Sequence, residues 1–361
     1  MKTSDHPATK NVPAHGNADV SQQDTETHNS KDASNGEVPK QKPTTQPADE
    51  KPADHKIDED GTSNMDFTGE VKQAEDENSN QNSKFEINGA VEESQERRDA
   101  MPANILEKWI IYFFVRARVS VDHPEGVQDI ARSYVILRPL PNGAKLGEGA
   151  LDDSNTNRLL ALPKKVLPKS NRDTFLTFVE RAGATIEELK EDFMKGSDYD
   201  TKTTGTRHSP AMTPVGEGIY AITTTGRETH LAYMLTIPSN IGEVQEEIGL
   251  TSQGSFALSV KNPTQPGPAN VNLPHGPEFP KEVIEEFRNL RWMPLQPKHL
   301  DYANTQFLLI GSGHDGLGHA VEPSANDEKN AQKVTALEEM EKLEAEDEHR
   351  VEGLKGTVEL L

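Results

Sequence analysis

Between residues 105 and 310 several short runs alternate apolar with polar side chains at period two, the pattern of strands with one face in water. The run ILEKWIIYFFVRARVSV, 105–121, ends with Val115, Ala117, Val119 and Val121 on one face and Arg116, Arg118 and Ser120 on the other. A helix starting at Asn104 competes for its first half, and the aromatic and β-branched content favours a strand. Shorter strands are predicted at 134–137, 158–162, 255–260 and 306–310, and 174–180 fits either a strand or a helix. The stretches 218–223 and 230–237 both alternate, with Thr225-Gly226-Arg227 between them, so they predict a β-hairpin.

The helical signals are fewer. Thr185-Ile-Glu-Glu188 fits a capping box, followed by Ile186, Leu189 and Phe193 on one face. Further helices are expected at 241–250 and 281–290, with one helical turn within 127–133. Residues 330–350 predict a charged helix with a narrow apolar stripe of Val334, Leu337 and Met340, standing free or pairing weakly. Strands do not alternate regularly with helices. The expected fold is therefore α+β, with a mostly antiparallel sheet that can curl into a partial barrel and a few short helices.

Composition places the folded part. The 361 residues are 33% hydrophobic and carry a formal charge of −22, with no cysteine. Residues 104–312 hold 22 Lys+Arg and 25 Asp+Glu, a charge of −3, which leaves −19 for the two ends. Residues 1–103 are polar and acidic, unable to bury enough apolar surface to offset chain entropy, so a long disordered tail is expected there. Lys84-Phe-Glu-Ile87 is its one apolar island. The expected organisation is thus a disordered acidic tail, 1–103, one α+β domain, 104–312, and a flexible loop with the charged helical tail, 313–361. Without cysteine there is no disulfide framework, thiolate nucleophile or Cys-ligated zinc. A neutral middle with acidic ends argues against direct DNA binding. No signal-peptide pattern opens the chain and no apolar run approaches a membrane span, so the expectation is an intracellular protein of the nucleus or cytoplasm.

The densest polar chemistry lies in 201–238, where Arg207, His208, Glu217, Tyr220, Arg227 and His230 form a candidate pocket. Two histidines and a glutamate suffice for acid–base work or for a divalent metal with an open position. The competing reading is that Arg207 and His208 bond backbone carbonyls in a Gly/Pro-rich loop, and no carboxylate is identifiable to orient the histidines. No catalytic set, metal site or cofactor is therefore assigned. Gly311-Ser-Gly313-His-Asp-Gly316 matches a dinucleotide-binding glycine pattern after a strand, but no helix opens at the glycines and no second strand follows. Lys164, Lys165 and Lys169 read as lysines protecting an exposed strand edge rather than as an import signal. Pro263-Thr-Gln-Pro266-Gly-Pro268 reads as a rigid surface loop rather than a polyproline ligand.

The motifs Thr-Gly-Thr-Arg207-His208-x-Pro-Ala-x-x-Pro214-x-Gly-Glu-Gly218-x-Tyr-Ala-Ile and Leu258-Ser-Val-Lys-Asn-Pro263 resemble a fungal family of uncharacterised proteins often labelled "BTB domain transcription factor", with related bacterial proteins of unknown function. Trp109-Ile-Ile-Tyr-Phe-Phe-Val-Arg, Leu231-Ala-Tyr233 and Phe307-Leu-Leu-Ile-Gly311 resemble it too, so the similarity spans about 105–311. The label implies a nuclear, transcription-associated role with protein partners. It carries no functional residues over. The leading expectation is an intracellular protein-interaction module, and the alternative is an enzyme or a small-ligand or metal binder using Arg207-His208, Glu217 and His230.

Overall fold

The alternating runs become the staves of a closed barrel. The computed structural model describes residues 91–121, 124–141, 143–202, 205–267, 273, 275–313, 316–322, 334–355 and 357–358. The expected tail as far as residue 90, with its island at 84–87, lies outside the described residues. The strands are β1 (Val91–Glu93), β2 (Ile105–Ala117), β3 (Ile130–Pro139), β4 (Ala144–Leu146), β5 (Asn157–Ala161), β6 (Thr174–Ala184) and β7 (Ser197–Thr201). They continue with β8 (Gly205–Ser209), β9 (Met212–Thr224), β10 (Thr229–Ile237), β11 (Gln253–Lys261), β12 (Trp292–Pro294) and β13 (Gln306–Gly311). The helices are α1 (Gln95–Ala100), α2 (Ile186–Leu189), α3 (Glu243–Ile248), α4 (Lys281–Glu286) and α5 (Ala336–Gly353).

The main sheet runs β10-β9-β2-β3-β5-β6-β13-β11, all antiparallel, and β10 pairs with β11 to close it. Eight strands close this way, while β12 takes over the β11 edge where β10 leaves it. The inward parity survives the whole circuit. Phe113 opposes Val135, Val135 opposes Leu160, and Leu160 opposes Val179. Thr177, on the same face as Val179, opposes Phe307, which opposes Val260. Phe256 opposes Leu231, Leu231 opposes Ile222, and Ile222 opposes Glu107 back on β2. A barrel of this strand number has an interior that side chains can nearly fill. The mixed α+β class with a mostly antiparallel sheet is thus what the chain forms, and the curl goes to full closure.

Two glycines of β9 permit this packing. Gly216 and Gly218 face inward opposite Phe113 and Ile111, so small residues meet large ones. A Cβ on Gly218 would sit 2.0 Å from the Met234 carbonyl oxygen and 2.7 Å from the Leu235 Cα. Both obstacles are backbone of the paired strand and cannot swing aside. Gly218→Ala is therefore expected to destabilise by about 3 kcal/mol or more, the upper end for overpacking. Gly216→Ala, whose new atom meets leucine methyls at 3.1 and 3.3 Å and the Ile237 carbonyl oxygen at an ordinary 3.5 Å, should lose less. Urea midpoints of the two variants check the ordering.

The 174–180 run, ambiguous in sequence, is strand β6. The helical turn expected within 127–133 shrinks to a 3-10 turn at Val127–Asp129, because β3 already begins at Ile130. The capping box at Thr185 is present, with its hydroxyl accepting from the Glu188 N–H and the Glu188 carboxylate accepting from the Thr185 N–H.

The largest departure is at the C-terminus. Helix α5 does not stand free. It lies on the outer wall of the barrel against β9, β10 and β4, burying Ala336, Glu339, Met340, Leu343, Asp347, Arg350 and Val351. Leu337, expected in its apolar stripe, is 38% exposed instead. The buried face contains charged residues because the barrel wall offers charges to meet them. Lys108 pairs with Glu339, and Arg97 of α1 donates to Glu339 at 2.9 Å and to Glu346. α1 and β1 are packed as well, β1 pairing with β4, so the folded part begins before residue 104.

Candidate functional site

In a strand, side chains an odd number of residues apart point to opposite faces. That rule divides the candidate cluster. Glu217 and Tyr220 share β9 at a separation of three, and the barrel wall runs between them.

Glu217 faces outward beneath α5 and has no exposure to solvent. Arg350 donates to its carboxylate, and the Arg350 Nε donates to Asp347 Oδ1 at 2.7 Å. Thr236 on β10 completes the group, donating its hydroxyl to Asp347 Oδ2 at 2.6 Å. Two carboxylates and one guanidinium thus share a dry site that fastens the helix to the wall.

Tyr220 faces the interior, fully buried. Its hydroxyl donates to Glu107 Oε1 at 2.8 Å, and Arg158 Nη1 donates to the same oxygen at 2.6 Å. Arg158 reaches Asp301 as well, at 2.7 and 2.9 Å, across the end of the barrel closed by the 3-10 turn Pro297–Asp301. Burial, and then the Glu107 carboxylate, push the Tyr220 hydroxyl well above the ordinary value of 10, so it remains a donor at neutral pH.

The histidines are apart too. His208 and Arg207 lie on β8, which pairs with β7 in a two-stranded arm whose residues are exposed or half-exposed. His208 Nδ1 is 2.6 Å from Asp198 Oδ1 across the arm. This is neither a Gly/Pro loop held to carbonyls nor a wall of a pocket. Arg227 is exposed in the β9–β10 turn, where Gly226 adopts a φ of 85°. His230 faces outward on β10, 4% exposed, with neither ring nitrogen hydrogen-bonded and Glu228 at 3.5 Å. Burial lowers its pKa below the ordinary 6.5. Among the described residues, no group of three or more His, Cys, Asp or Glu is placed to hold a metal ion.

A different place has the shape of a site. At the end of the barrel where β10 passes into β11, a cleft of about 670 Å³ opens between the 162–173 loop, the 249–252 turn and the loop after β13. Tyr233 and Phe256 lie at its base with rings stacked, centroids 5.7 Å apart and planes 18° from parallel. Gly254 opposes Tyr233 and lies under its ring, where any Cβ would come within 2.8 Å of the aromatic carbons. The absent side chain is what lets the ring lie flat along the strand. The Tyr233 hydroxyl is bound to the Thr251 Oγ1 at 3.1 Å. Burial raises its pKa.

Ser255 and Ser312 form part of the wall, and their hydroxyls contact at 2.5 Å. Ser255 also donates to the carbonyls of Gly316 and Leu317. Carbonyls cannot take a proton from a serine, so this pair lacks the base that activates a nucleophile. The glycine-rich segment 311–316 contributes Ser312, Gly313 and Gly316 to the cleft and leads to a 3-10 turn, Gly318–Val321. Lys169, at the rim, lies with Lys164 and Lys165 in the β5–β6 loop, so these lysines do not protect a strand edge.

Family models, curated proteins and solved structures were compared with the chain. None of them matches. Among the described residues no helix is long and apolar enough to cross a membrane. The cleft was not singled out by sequence because its residues come from three separate loops. The one local signal was Gly254, a glycine opening an otherwise regular strand.

One further buried group has a consequence for stability. His299, with no exposure, packs against both Phe279 and Phe287 at centroid distances of 5.7 and 5.8 Å. Its Nδ1 accepts from the Gln296 N–H at 2.9 Å, which requires the neutral ring. Burial first, then the Lys298 ammonium, lower its pKa to about 4. The unfolded chain therefore binds a proton between pH 6.5 and about 4 that the folded protein refuses. Stability should fall as pH drops through that window, by up to about 3 kcal/mol from this residue. His230 acts in the same direction. His299→Gln should flatten the slope of unfolding free energy against pH, measured in urea from pH 7 to 4.5, without abolishing the part due to His230.

Proposed function

We propose that this chain is a non-catalytic binding protein that takes a small, uncharged, ring-bearing ligand in the cleft over Tyr233 and Phe256. The carrying observation is the stacked pair of Tyr233 and Phe256, nearly buried at the base of a cleft walled by Thr251, Ser252, Gln253 and Ser312. An apolar floor with a few convergent polar groups is the usual make-up of a ligand site, and the volume lies within the common range of about 300–1,000 Å³. The split of Arg207, His208, Glu217 and His230 over an exposed arm and a buried outer wall removes support for an enzyme or metal protein built on those residues.

The test is a fragment titration of the full chain followed by NMR, with phenol, indole and benzamide. The expected result is saturable shifts at Tyr233, Gly254, Phe256 and Ser312, lost in Ser252→Trp, whose indole would occupy the cleft. Shifts confined to other surfaces, or none from any fragment, would overturn the reading.

A second reading keeps the protein-interaction role, in the nucleus or cytoplasm, that the sequence resemblance implies. The observation favouring it is the β7–β8 arm, which presents Asp198, Tyr199, Asp200 and Arg207 to solvent with Tyr199 43% exposed. An interaction that uses this arm should be lost in Tyr199→Ala combined with Arg207→Ala, in an affinity capture where the wild-type arm retains a specific protein.

A further inference from the structure

Lys261 ends β11 and points away from the barrel interior, yet it is only 7% exposed because the Pro/Gly-rich segment after it folds over its side chain. Its Nζ donates to the Gln265 carbonyl at 2.8 Å and to the Asn262 carbonyl at 3.3 Å. An ammonium has three donors. No carboxylate forms an ion pair with it among the described residues, and from 261 to 277 the sequence contains no Asp or Glu at all. A buried lysine without a counter-charge is rare, since burial penalises the charged form and the two carbonyls offset only part of the penalty.

The surroundings add positive rather than negative charge. Arg291, next to the β12 strand that pairs with Lys261, donates Nη2 to the Pro266 carbonyl at 3.0 Å. The segment is held in place by Asn262, 1% exposed, whose side chain accepts from the Thr264 N–H and hydroxyl and donates to the Leu290 carbonyl. This segment borders a cavity of about 190 Å³ whose lining includes Lys261, Gln265, His275 and Gln306. Burial, and then the Arg291 charge, lower the Lys261 pKa.

We infer that the cavity beside Lys261 binds a small oxyanion, a phosphate or a carboxylate, with the Lys261 ammonium as its central contact and Arg291, outside the cavity lining, adding positive charge nearby. Lysine holds such groups as a point charge. The site lies on the outer wall at the opposite end of the barrel from the cleft, so it does not depend on the cleft's occupant.

The test uses the full chain with inorganic phosphate and, separately, acetate, read by calorimetric titration and by the thermal midpoint. Saturable binding of at least one anion, with a matching rise in midpoint, is expected. Lys261→Met should abolish both and leave the unliganded protein as stable as wild type or more so, because it removes an uncompensated charge. Arg291→Gln should weaken binding on the order of tenfold. Lys281→Met, an exposed control, should change nothing. Stronger binding of phosphate than acetate identifies the ligand as a phosphate, and the reverse as a carboxylate. The inference is overturned if neither anion binds, or if Lys261→Met binds as wild type does. It is also overturned if Lys261→Met is destabilised while Arg291→Gln binds unchanged, which would make Lys261 a clamp for the two carbonyls.

Discussion

Arg350→Met is expected to destabilise the protein by about 3–5 kcal/mol, the range for removing one partner of a buried ion pair. Arg350, Glu217 and Asp347 are all without solvent exposure, and the guanidinium is the group that both carboxylates share. Methionine fills similar volume, so the loss would come from taking away the guanidinium that both buried carboxylates share and not from a cavity. One of them would take up a proton in the folded state, with a pKa raised above its unfolded value. Its stabilising uptake grows as pH falls through that raised value. The deficit against wild type at the same pH should therefore be larger at pH 7 than at pH 5. Urea unfolding at both values measures it. Adding Glu217→Gln to Arg350→Met should recover part of the loss, because one buried charge then disappears. A deficit below about 1 kcal/mol at pH 7 would mean that α5 does not seal this site.

The second large effect is expected inside the barrel. Arg158→Met should lose about 3 kcal/mol. Arg158 is 5% exposed and bonds Glu107, whose other partner is the buried Tyr220 hydroxyl. Without the guanidinium, Glu107 would keep only that hydroxyl. Asp301, whose side chain is 55% exposed, can be rescued by water, which places this loss at the lower end of the range. Tyr220→Phe removes one hydrogen bond to a charged acceptor and should lose about 1.5–3 kcal/mol. A double-mutant cycle of Arg158→Met with Glu107→Gln isolates the pair, and a coupling near zero would contradict the geometry.

The strands β2, β9, β10, β11 and β13 could be read from the sequence because their inner faces are apolar and the register keeps that face constant. Closure could not. It depends on β10 meeting β11 across a connection of fifteen residues, and no local pattern encodes that pairing. The arm of β7 and β8 was missed because it has no buried face, so nothing selects apolar residues at alternate positions. Helix α5 was misread for the opposite reason. Glu339, Asp347 and Arg350 look like a solvated surface until Lys108, Glu217 and Thr236 are placed beneath them. The candidate pocket failed on parity. Nearness in sequence suggested a cluster, but a strand sends Glu217 to the outer wall and Tyr220 to the interior.

Closure of the sheet on itself creates both the split between inner and outer residues and the cleft at the barrel's end. Backbone NOEs across the last seam test it most directly. Contacts between Leu231 and Phe256 and between Tyr233 and Gly254 are expected, with amides of β10 and β11 protected on both sides. A β10 that contacts only β9, beside a β11 that contacts only β13 and exchanges its amides as a free edge, would contradict it.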